Sequence, residues 1–290
     1  VSLYSSRSVL STNIDFLTCY NFAMTKGKAK VSVRAEIPNN VAESLGEFSD
    51  LMRKLLFYRN IDSSEKAEAF LNPEYKPNDP FLMKGMKEGV ELFMQTVVAG
   101  ERTTIFSDYD ADGIPGAVLL SDFFNKIGYT NFDVYIPDRH AEGFGLNEKS
   151  IEEIVKRGSK LMITIDCGTA DTKEIELAKK LGLKVIVTDH HTLTHDLPPA
   201  DVVINPKQEG CQYPDKNLCG AGVAFKFVEA VLSFMRSEFF LLSAKRYPLN
   251  APSVGWEKWL LDMVGIATLS DMVPLTGENR MFAKFGLAVL

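Results

Sequence analysis

The spacing of apolar residues along the chain changes near residue 100. Before that point, "VAESLGEFSDLMRKLLFYRNI" and "MKEGVELFMQTVVAG" place their apolar residues at helical intervals. After it, short β-branched or apolar runs occupy residues 102–109, 132–137, 160–166, 184–189 and 201–205. Helical patterns separate most of these runs, as in "GAVLLSDFFNKIG", and two more helices are predicted within residues 219–236 and 257–270. The pattern predicts an α/β fold with a doubly wound, mostly parallel sheet and helices on both faces, preceded by a helical N-terminal segment.

Composition narrows the class of protein. The 290 residues are 46% hydrophobic, enough to bury the core of one or two domains. No apolar run approaches the roughly 18 residues that suggest a membrane span, so we expect no membrane association. The four cysteines lack zinc-finger or disulfide-framework spacing. A net charge of −6 argues against a wholly basic surface, but a local basic groove stays compatible with it.

The first 35 residues differ from the rest in charge. They contain five basic residues and one acid, Asp15, and are rich in serine and threonine. This composition fits either an organelle transit peptide or a disordered extension. We therefore expect an N-terminal extension over residues 1–40 and a folded domain over 41–290. The expected location is the cytoplasm, or a plastid or mitochondrion if the extension is a transit peptide.

Acidic residues and histidines follow three of the predicted strands. "SDYDADG" ends the first strand, "DCG" the third and "DHH" the fourth. Because ligands bind at the carboxyl ends of parallel strands, these residues should meet at one edge of the sheet. Two carboxylates about 4 Å apart repel by about 4 kcal/mol at an effective dielectric constant near 20. Four together would approach about 20 kcal/mol, more than a typical folding stability of about 5–15 kcal/mol. Protons, basic side chains or metal ions must offset that repulsion, and imidazole with carboxylates suits a divalent metal.

The motifs resemble those of the DHH phosphoesterase superfamily and, within it, the RecJ-like single-strand-specific DNA exonucleases. The resemblance covers residues from about 51 to the end. It includes "SDYDADGIPG", "YIPDRHAEGFGLN", "ITIDCG", "VTDHH", "NLCGAGVAFK" and "IATLSDMVPLTGENR" in the family's order. It implies a DHH domain that hydrolyses phosphodiesters with two Mn²⁺ or Mg²⁺ ions.

The resemblance also implies roles for individual residues. The metal ligands would be Asp110, Asp112, Asp166, His190 and Asp271, with Asp166 between the two ions. His191 would contact the scissile phosphate. Asp108 and Asp189 would support the ligands from behind, Asp189 by orienting a histidine. Independently of the resemblance, Arg139 is a candidate phosphate contact because a planar guanidinium matches phosphate geometry. Gly220 and Gly222 open a predicted helix, whose N-terminal amides could also hold a phosphate.

Simpler interpretations of the same residues stay open. Asp110 and Asp112 fit a turn and a helix cap, and Asp166 fits a cap of the following helix. Asp271, Arg139 and the histidines fit exposed loops. Gly220 and Gly222 fit tight packing.

Two departures from the family bear on activity. A histidine usually stands two residues before the first aspartate of "DYDAD", where this chain has Phe106. Phenylalanine cannot bind a metal, so we expect the first metal site to be weaker than the second. The sequence also ends before the region of the family's C-terminal DHH-associated domain, so no clamp for a long strand is apparent.

The expected function is a RecJ-like 5′-to-3′ single-stranded DNA exonuclease that uses a metal-activated water. Two alternatives remain at this stage. One is a phosphodiesterase for oligonucleotides or cyclic dinucleotides, and the other is a catalytically inactive DHH scaffold in a replication or repair complex. The expected partner is single-stranded nucleic acid, and the sequence identifies no protein partner.

Overall fold

The computed structural model describes residues 32, 34–193, 196–237, 240 and 249–290. Contacts divide the chain into two compact units, residues 1–71 and 72–290. The boundary predicted after residue 40 stays a prediction, and the proposed transit peptide lies almost wholly outside the described residues. None of the described helices is long and apolar enough to cross a membrane.

The first unit contains three short helices, α1 (Asn39–Ser44), α2 (Asp50–Phe57) and α3 (Ser64–Leu71). Val41, Leu45, Leu56, Ile61 and Ala67 form its buried cluster. The helical spacing predicted across residues 41–61 is therefore interrupted. Ser49 caps α2 by accepting a hydrogen bond from the Met52 amide, so a new helix begins there. Leu51, expected on the apolar face, is 66% exposed.

The second unit is built on five parallel strands. They are β1 (Arg102–Ser107), β2 (Phe132–Tyr135), β3 (Ser159–Ile165), β4 (Lys184–Thr188) and β5 (Val202–Ile204), in the sheet order β2-β1-β3-β4-β5. All four strand pairs are parallel. The order reverses between β1 and β3, which is where open α/β sheets bind their ligands.

The described part of this unit has seven α-helices, one before β1 and the others between or after the strands. They are α4 (Met86–Val98), α5 (Gly113–Ile127), α6 (Glu148–Lys156), α7 (Thr172–Lys180), α8 (Gly220–Met235), α9 (Leu261–Ser270) and α10 (Gly277–Val289). Two 3₁₀ helices, Pro80–Leu82 and Trp256–Leu260, complete the described elements.

Helices cover both faces of the sheet. On one face, Ile105, Ile163 and Ile186 pack in the large core with residues of α4, α5, α8 and α9. On the other face, Met162 and Val185 pack with residues of α6 and α7. Side chains alternate between faces along a strand, so each strand has apolar residues on both sides. The predicted α/β fold with helices on both faces is confirmed.

A buried ion cluster lies within this unit. Lys226 of α8 is fully buried, with its Nζ 3.0 Å from Glu278 Oε1 of α10 and also paired with Glu229. The ammonium donates a further hydrogen bond to the Asn78 carbonyl at 2.7 Å. The Tyr213 hydroxyl donates to the other oxygen of Glu278. The cluster thus ties α8, α10 and the segment before α4 together.

The turns that enter β1, β3 and β4 contain Gly100, Gly158 and Gly182. A methyl group added at any of the three would meet nothing within 4 Å. Because the strands are parallel, these turns lie at the amino ends of the strands, at the opposite edge of the sheet from the acidic motifs.

Candidate metal centre

The acidic motifs begin directly after three neighbouring strands. Asp108, Asp110 and Asp112 follow β1, Asp166 follows β3, and Asp189, His190 and His191 follow β4. Asp271 comes from elsewhere, at the carboxyl end of α9. The structure brings all of the expected metal ligands to the edge of the sheet where the strand order reverses.

Three of these residues form what we call the inner cluster: Asp112, His190 and Asp271. Their ligand atoms lie within 4.8 Å of one another. His190 Nε2 is 3.7 Å from Asp112 Oδ2 and 3.8 Å from Asp271 Oδ2. Asp112 and His190 are buried, whereas Asp271 is half-buried. A cation could therefore reach the cluster from the Asp271 side.

The start of α8 holds the Asp112 carboxylate. Its oxygens accept hydrogen bonds from the Gly220 amide at 2.5 Å and the Ala221 amide at 2.7 Å. Both amides lie at the positive end of the helix dipole. Burial, the larger influence, nevertheless raises the pKa of Asp112.

These contacts differ from the phosphate contact expected at Gly220 and Gly222. The Gly220 amide bonds to Asp112, and the Gly222 amide donates to Cys219 Sγ at 3.4 Å. The first amides of α8 are thus already bonded within the protein. Tight packing explains Gly220, because an added Cβ would lie 2.5 Å from Asp166 Cβ.

Asp166 lies close to both histidines of the site. Its Oδ1 is 3.1 Å from His190 Nε2 and 4.0 Å from His191 Nδ1, and this buried oxygen makes no hydrogen bond among the described residues. Its φ of 61° is left-handed, a conformation that costs a non-glycine residue on the order of 1–3 kcal/mol. Burial, followed by the carboxylates of Asp112 and Asp110, raises the pKa of Asp166 to about 10.

A second group, the outer cluster, consists of Asp108, Asp110 and Asp166. Their ligand atoms also lie within 4.8 Å of one another. Asp108 is fully buried, and neither of its carboxylate oxygens has a hydrogen-bond partner among the described residues. Burial raises the pKa of Asp108. Asp108, expected only to support the ligands, therefore lies within reach of a cation itself.

Asp110 closes the turn into α5 as well. Its Oδ1 accepts hydrogen bonds from the Asp112 amide at 2.8 Å and the Gly113 amide at 3.0 Å. The Asp110 side chain thus stabilises the turn and also lies where it could bind a metal ion. Asp110 is exposed, unlike the other two members of the outer cluster.

Phe106 lies in the apolar core. It is fully buried and stacks on Tyr135 with ring centroids 5.5 Å apart and planes 9° from parallel. It packs with the cluster that also contains Met162 and Leu146. The position therefore supplies packing and no metal ligand.

Asp189 holds His191 and the backbone around it. Its carboxylate is 2.7 Å from His191 Nδ1 and accepts hydrogen bonds from the amides of Thr169, His190 and His191. Burial would raise the pKa of Asp189, but the hydrogen bond with the His191 ring and its charge outweigh burial and keep that pKa below its usual range. The same hydrogen bond raises the pKa of His191 to about 9. Asp189 thus orients a histidine, as expected, and that histidine is His191.

Arg139 lies on the loop after β2, at the rim of the site. It is exposed, and its guanidinium lies 5.3 Å from the ring centre of Tyr109. Phe144 of the same loop contacts Tyr109 and His191, although the sequence analysis did not single it out. The two glycines around it in "EGFG" were the available signal, because paired glycines of this kind mark a loop.

The donor set of the two clusters fits divalent cations. Carboxylate oxygens suit Mg²⁺ and Mn²⁺, and the imidazole of His190 favours Mn²⁺ between them. Both oxygens of Asp108 and Oδ1 of Asp166 make no hydrogen bond among the described residues, and a buried carboxylate of this kind is costly unless a cation or a proton offsets its charge. The residues present therefore match the expected Mn²⁺ or Mg²⁺ cofactors.

Comparison with protein families gives the class of this protein. The model of the DHH family, N-terminal domain, matches residues 102–251. That match spans more than half of the chain, and the chain belongs to the DHH family. All the residues of the inner and outer clusters except Asp271 lie inside the matched range.

Two curated relatives of this chain carry the same name. The single-stranded-DNA-specific exonuclease RecJ of Bacillus subtilis is 40% identical over 238 residues, which are 82% of this chain and 28% of that protein. The protein of the same name from Escherichia coli is 30% identical over 261 residues, 90% of this chain and 44% of that protein. This chain therefore spans less than half the length of these curated relatives. The resemblance to RecJ inferred from the motifs is confirmed.

Solved structures agree with the sequence relatives. A crystal structure of exonuclease RecJ bound to manganese has a TM-score of 0.61 at 31% identity, covering 73% of this chain and 49% of that chain. RecJ from Thermus thermophilus in complex with Mn²⁺ has a TM-score of 0.64 at 26% identity, covering 86% of this chain and 32% of that chain.

Proposed function

We propose that this chain is a metal-dependent phosphodiester hydrolase that degrades single-stranded DNA, as a RecJ-like 5′-to-3′ exonuclease. The observation that carries the proposal is the meeting of buried carboxylates with His190 at the sheet edge. A structural site has no use for unpartnered buried oxygens such as those of Asp108 and Asp166. The single-stranded DNA substrate is taken from the names of the relatives.

Two divalent cations, Mn²⁺ or Mg²⁺, would be held by the two clusters. Asp112, His190 and Asp271 would bind one and Asp110 with Asp108 the other, with Asp166 within reach of both. When bound, the cations supply an activated water and stabilise the attacking and leaving oxygens of an in-line displacement.

The chain's own residues position the substrate. His191 is held through Nδ1 by Asp189, so Nε2, on the other side of the ring, is available to a phosphate oxygen. The His191 side chain is 47% exposed, which leaves it accessible to substrate. The guanidinium of Arg139 matches phosphate geometry and would bind the backbone beyond the scissile bond.

Water is the nucleophile in this proposal. Cys167 follows Asp166 directly, but its thiol is buried, and burial raises its pKa well above the ordinary value. Thiol nucleophiles act as thiolates, so a raised pKa argues against covalent catalysis by Cys167. Because Phe106 stands where the family has a histidine, the outer metal site lacks one ligand. The inner cluster does not depend on that position, so we expect two metal sites of unequal affinity.

The test uses Mn²⁺ with three substrates: 5′-labelled single-stranded DNA, the matching duplex and a dinucleotide. Asp166→Asn is the disabling variant, because asparagine has the same shape and tolerates a left-handed φ. Asp122→Asn, on the exposed side of α5 and outside both clusters, is the matched control. We expect mononucleotides from the single strand with wild type and Asp122→Asn, and none with Asp166→Asn.

The other outcomes are distinct. Turnover of the dinucleotide alone would support the oligonucleotide phosphodiesterase. Binding of the single strand without Mn²⁺-dependent turnover would support a scaffold and refute the hydrolase.

A further inference from the structure

Phe144 is unusual among the phenylalanines of this protein. It is 60% exposed, more than any other phenylalanine in the described residues. Exposing so much of an aromatic ring forfeits burial that would contribute about 1.5–3 kcal/mol. A single exposed apolar residue needs no explanation by itself, but the position of this one does.

Only the His191 ring separates Phe144 from His190, one of the expected metal ligands. Its ring centre is 6.2 Å from that of His191, and the two planes are perpendicular. The His191 ring is in turn 4.7 Å from the ring of His190, a member of the inner cluster. A phosphate at His191 would therefore place the attached nucleoside near Phe144.

The loop around Phe144 is anchored on both sides. Before it, the Glu142 carboxylate accepts hydrogen bonds from the Tyr135 hydroxyl at 2.6 Å and the Asp138 amide at 2.7 Å. After it, the Leu146 amide donates to Asp171 Oδ2 at 3.2 Å. The exposure of Phe144 thus belongs to a defined loop conformation, and a preformed surface binds with less loss of entropy.

No described ring stacks on the face of Phe144. Its two aromatic neighbours, His191 and Tyr109, meet it at 90° and 89°. Stacking of a base on an aromatic face is tolerant of sequence, because every base has a π-face. Arg139, 5.3 Å from the Tyr109 ring centre, adds positive charge beside the same aromatic group.

We propose that Phe144 stacks on a nucleobase of the single-stranded substrate, next to the phosphate at the metal centre. This inference rests on the proposed function, since only a nucleotide substrate brings a base to that position. It makes Phe144 a binding residue that selects unpaired strands. A base held in a duplex has its faces covered by its neighbours, whereas a base in a single strand is free to stack on the protein.

The experiment measures binding separately from turnover. Single strands with phosphorothioate linkages at the 5′ end are titrated in Mn²⁺ by fluorescence anisotropy. One strand is natural, and three others each carry one abasic site, at the first, second or third position. The proteins are wild type, Phe144→Leu, Phe144→Tyr and the control Phe81→Leu, which alters another exposed phenylalanine that is 40% exposed.

We expect one abasic position to weaken binding to wild type by about 5- to 150-fold, the range for losing one stacked base. Phe144→Leu should weaken binding of the natural strand by a similar factor and lose sensitivity to that abasic site. Phe144→Tyr and Phe81→Leu should behave like wild type. Because Phe144 is exposed, the unfolding midpoint of Phe144→Leu should match that of wild type.

The inference is overturned if Phe144→Leu binds the natural strand as tightly as wild type, or keeps its sensitivity to the abasic site. Turnover of ordinary DNA by the same proteins tests the hydrolase separately. Base-dependent binding without turnover would sustain stacking and refute the hydrolase. Turnover by wild type with no effect of Phe144→Leu would refute stacking alone, and no binding of any strand by wild type would refute both.

Discussion

Gly220 offers the sharpest test of the packing behind the metal centre. A Cβ added there would lie 2.5 Å from Asp166 Cβ and 2.7 Å from Asp166 Oδ1. Asp166 cannot easily move away, because it is buried and its backbone has a left-handed φ. Gly220→Ala should therefore displace the carboxylate that lies within reach of both metal sites.

The magnitude follows from the distances. Unbonded carbon atoms approach to about 3.5 Å, so a 2.5 Å contact requires a shift of roughly 1 Å. Overpacking of this kind costs about 1–3 kcal/mol of stability. Alanine regains up to about 1 kcal/mol of helix propensity, which leaves a net loss of about 0–2 kcal/mol. A misplacement of about 1 Å in catalytic geometry costs on the order of 100-fold in rate.

Gly222→Ala is the matched control, two residues further along the same helix. There an added Cβ would meet Leu218 Cβ at 3.4 Å, an ordinary contact. Mn²⁺ titration calorimetry, urea unfolding and the rate of DNA hydrolysis should all separate the two variants. We expect weaker Mn²⁺ binding and a roughly 100-fold slower rate for Gly220→Ala only. Equal behaviour of the two alanine variants would show that Asp166 is not confined as argued.

Four further predictions concern the ion cluster, pH, metal affinity and histidine orientation. Lys226→Met should destabilise the protein by about 3–5 kcal/mol in urea unfolding, because it leaves Glu278 buried and unpaired. Burial raises the pKa of Asp171 to about 6, so the folded protein holds this proton more tightly than the unfolded chain. The resulting stabilisation is complete below about pH 4 and is lost as the pH rises through 6, by up to about 3 kcal/mol. Asp171→Asn should remove this pH dependence of the free energy of unfolding. Mn²⁺ titration should give two unequal affinities, with the inner cluster the tighter. Asp189→Asn should lower activity by about 10- to 100-fold, measured as kcat/KM on single-stranded DNA.

Each of these four predictions has its own control and its own contradicting result. Lys180→Met breaks an exposed pair with Glu176 and should cost less than about 1 kcal/mol. Restored stability in a Lys226→Met, Glu278→Gln double variant would support the unpaired-charge explanation, and no restoration would contradict it. For Asp171, the exposed variant Glu176→Gln should leave the pH profile of urea unfolding unchanged. Two equally tight Mn²⁺ sites, or full activity of Asp189→Asn, would refute the remaining two predictions.

The strands and the acidic residues that follow them were the predictable part of the molecule. Four of the five strands are largely buried, and all five read as short β-branched or apolar runs. These runs located all five strands to within two residues at either end. The acidic residues follow these runs directly, and the topology of parallel strands then brings them together. Local sequence therefore carried enough information to find Asp112, Asp166 and His190.

The contacts that hold the site could not be read from local sequence. The amide of Gly220 that fixes Asp112 lies 108 residues away along the chain. Lys226 is buried beside Glu278, a partner 52 residues further along the chain. The glycines on either side of Phe144 indicate a loop, but its position beside His191 follows only from the three-dimensional structure. The burial and the contacts of these residues depend on partners far away in the sequence, so local patterns do not predict them.

The turns at Gly100, Gly158 and Gly182 have a practical consequence. Exposed turns of this kind tolerate insertions and attached groups. A cysteine introduced in place of the exposed Lys156, beside the Gly158 turn, could bear a biotin and fix the molecule to a glass surface. The loops that bear Asp110 and Phe144 would then face the solution, so that single strands could be offered to individual molecules without the attachment obstructing access to the site.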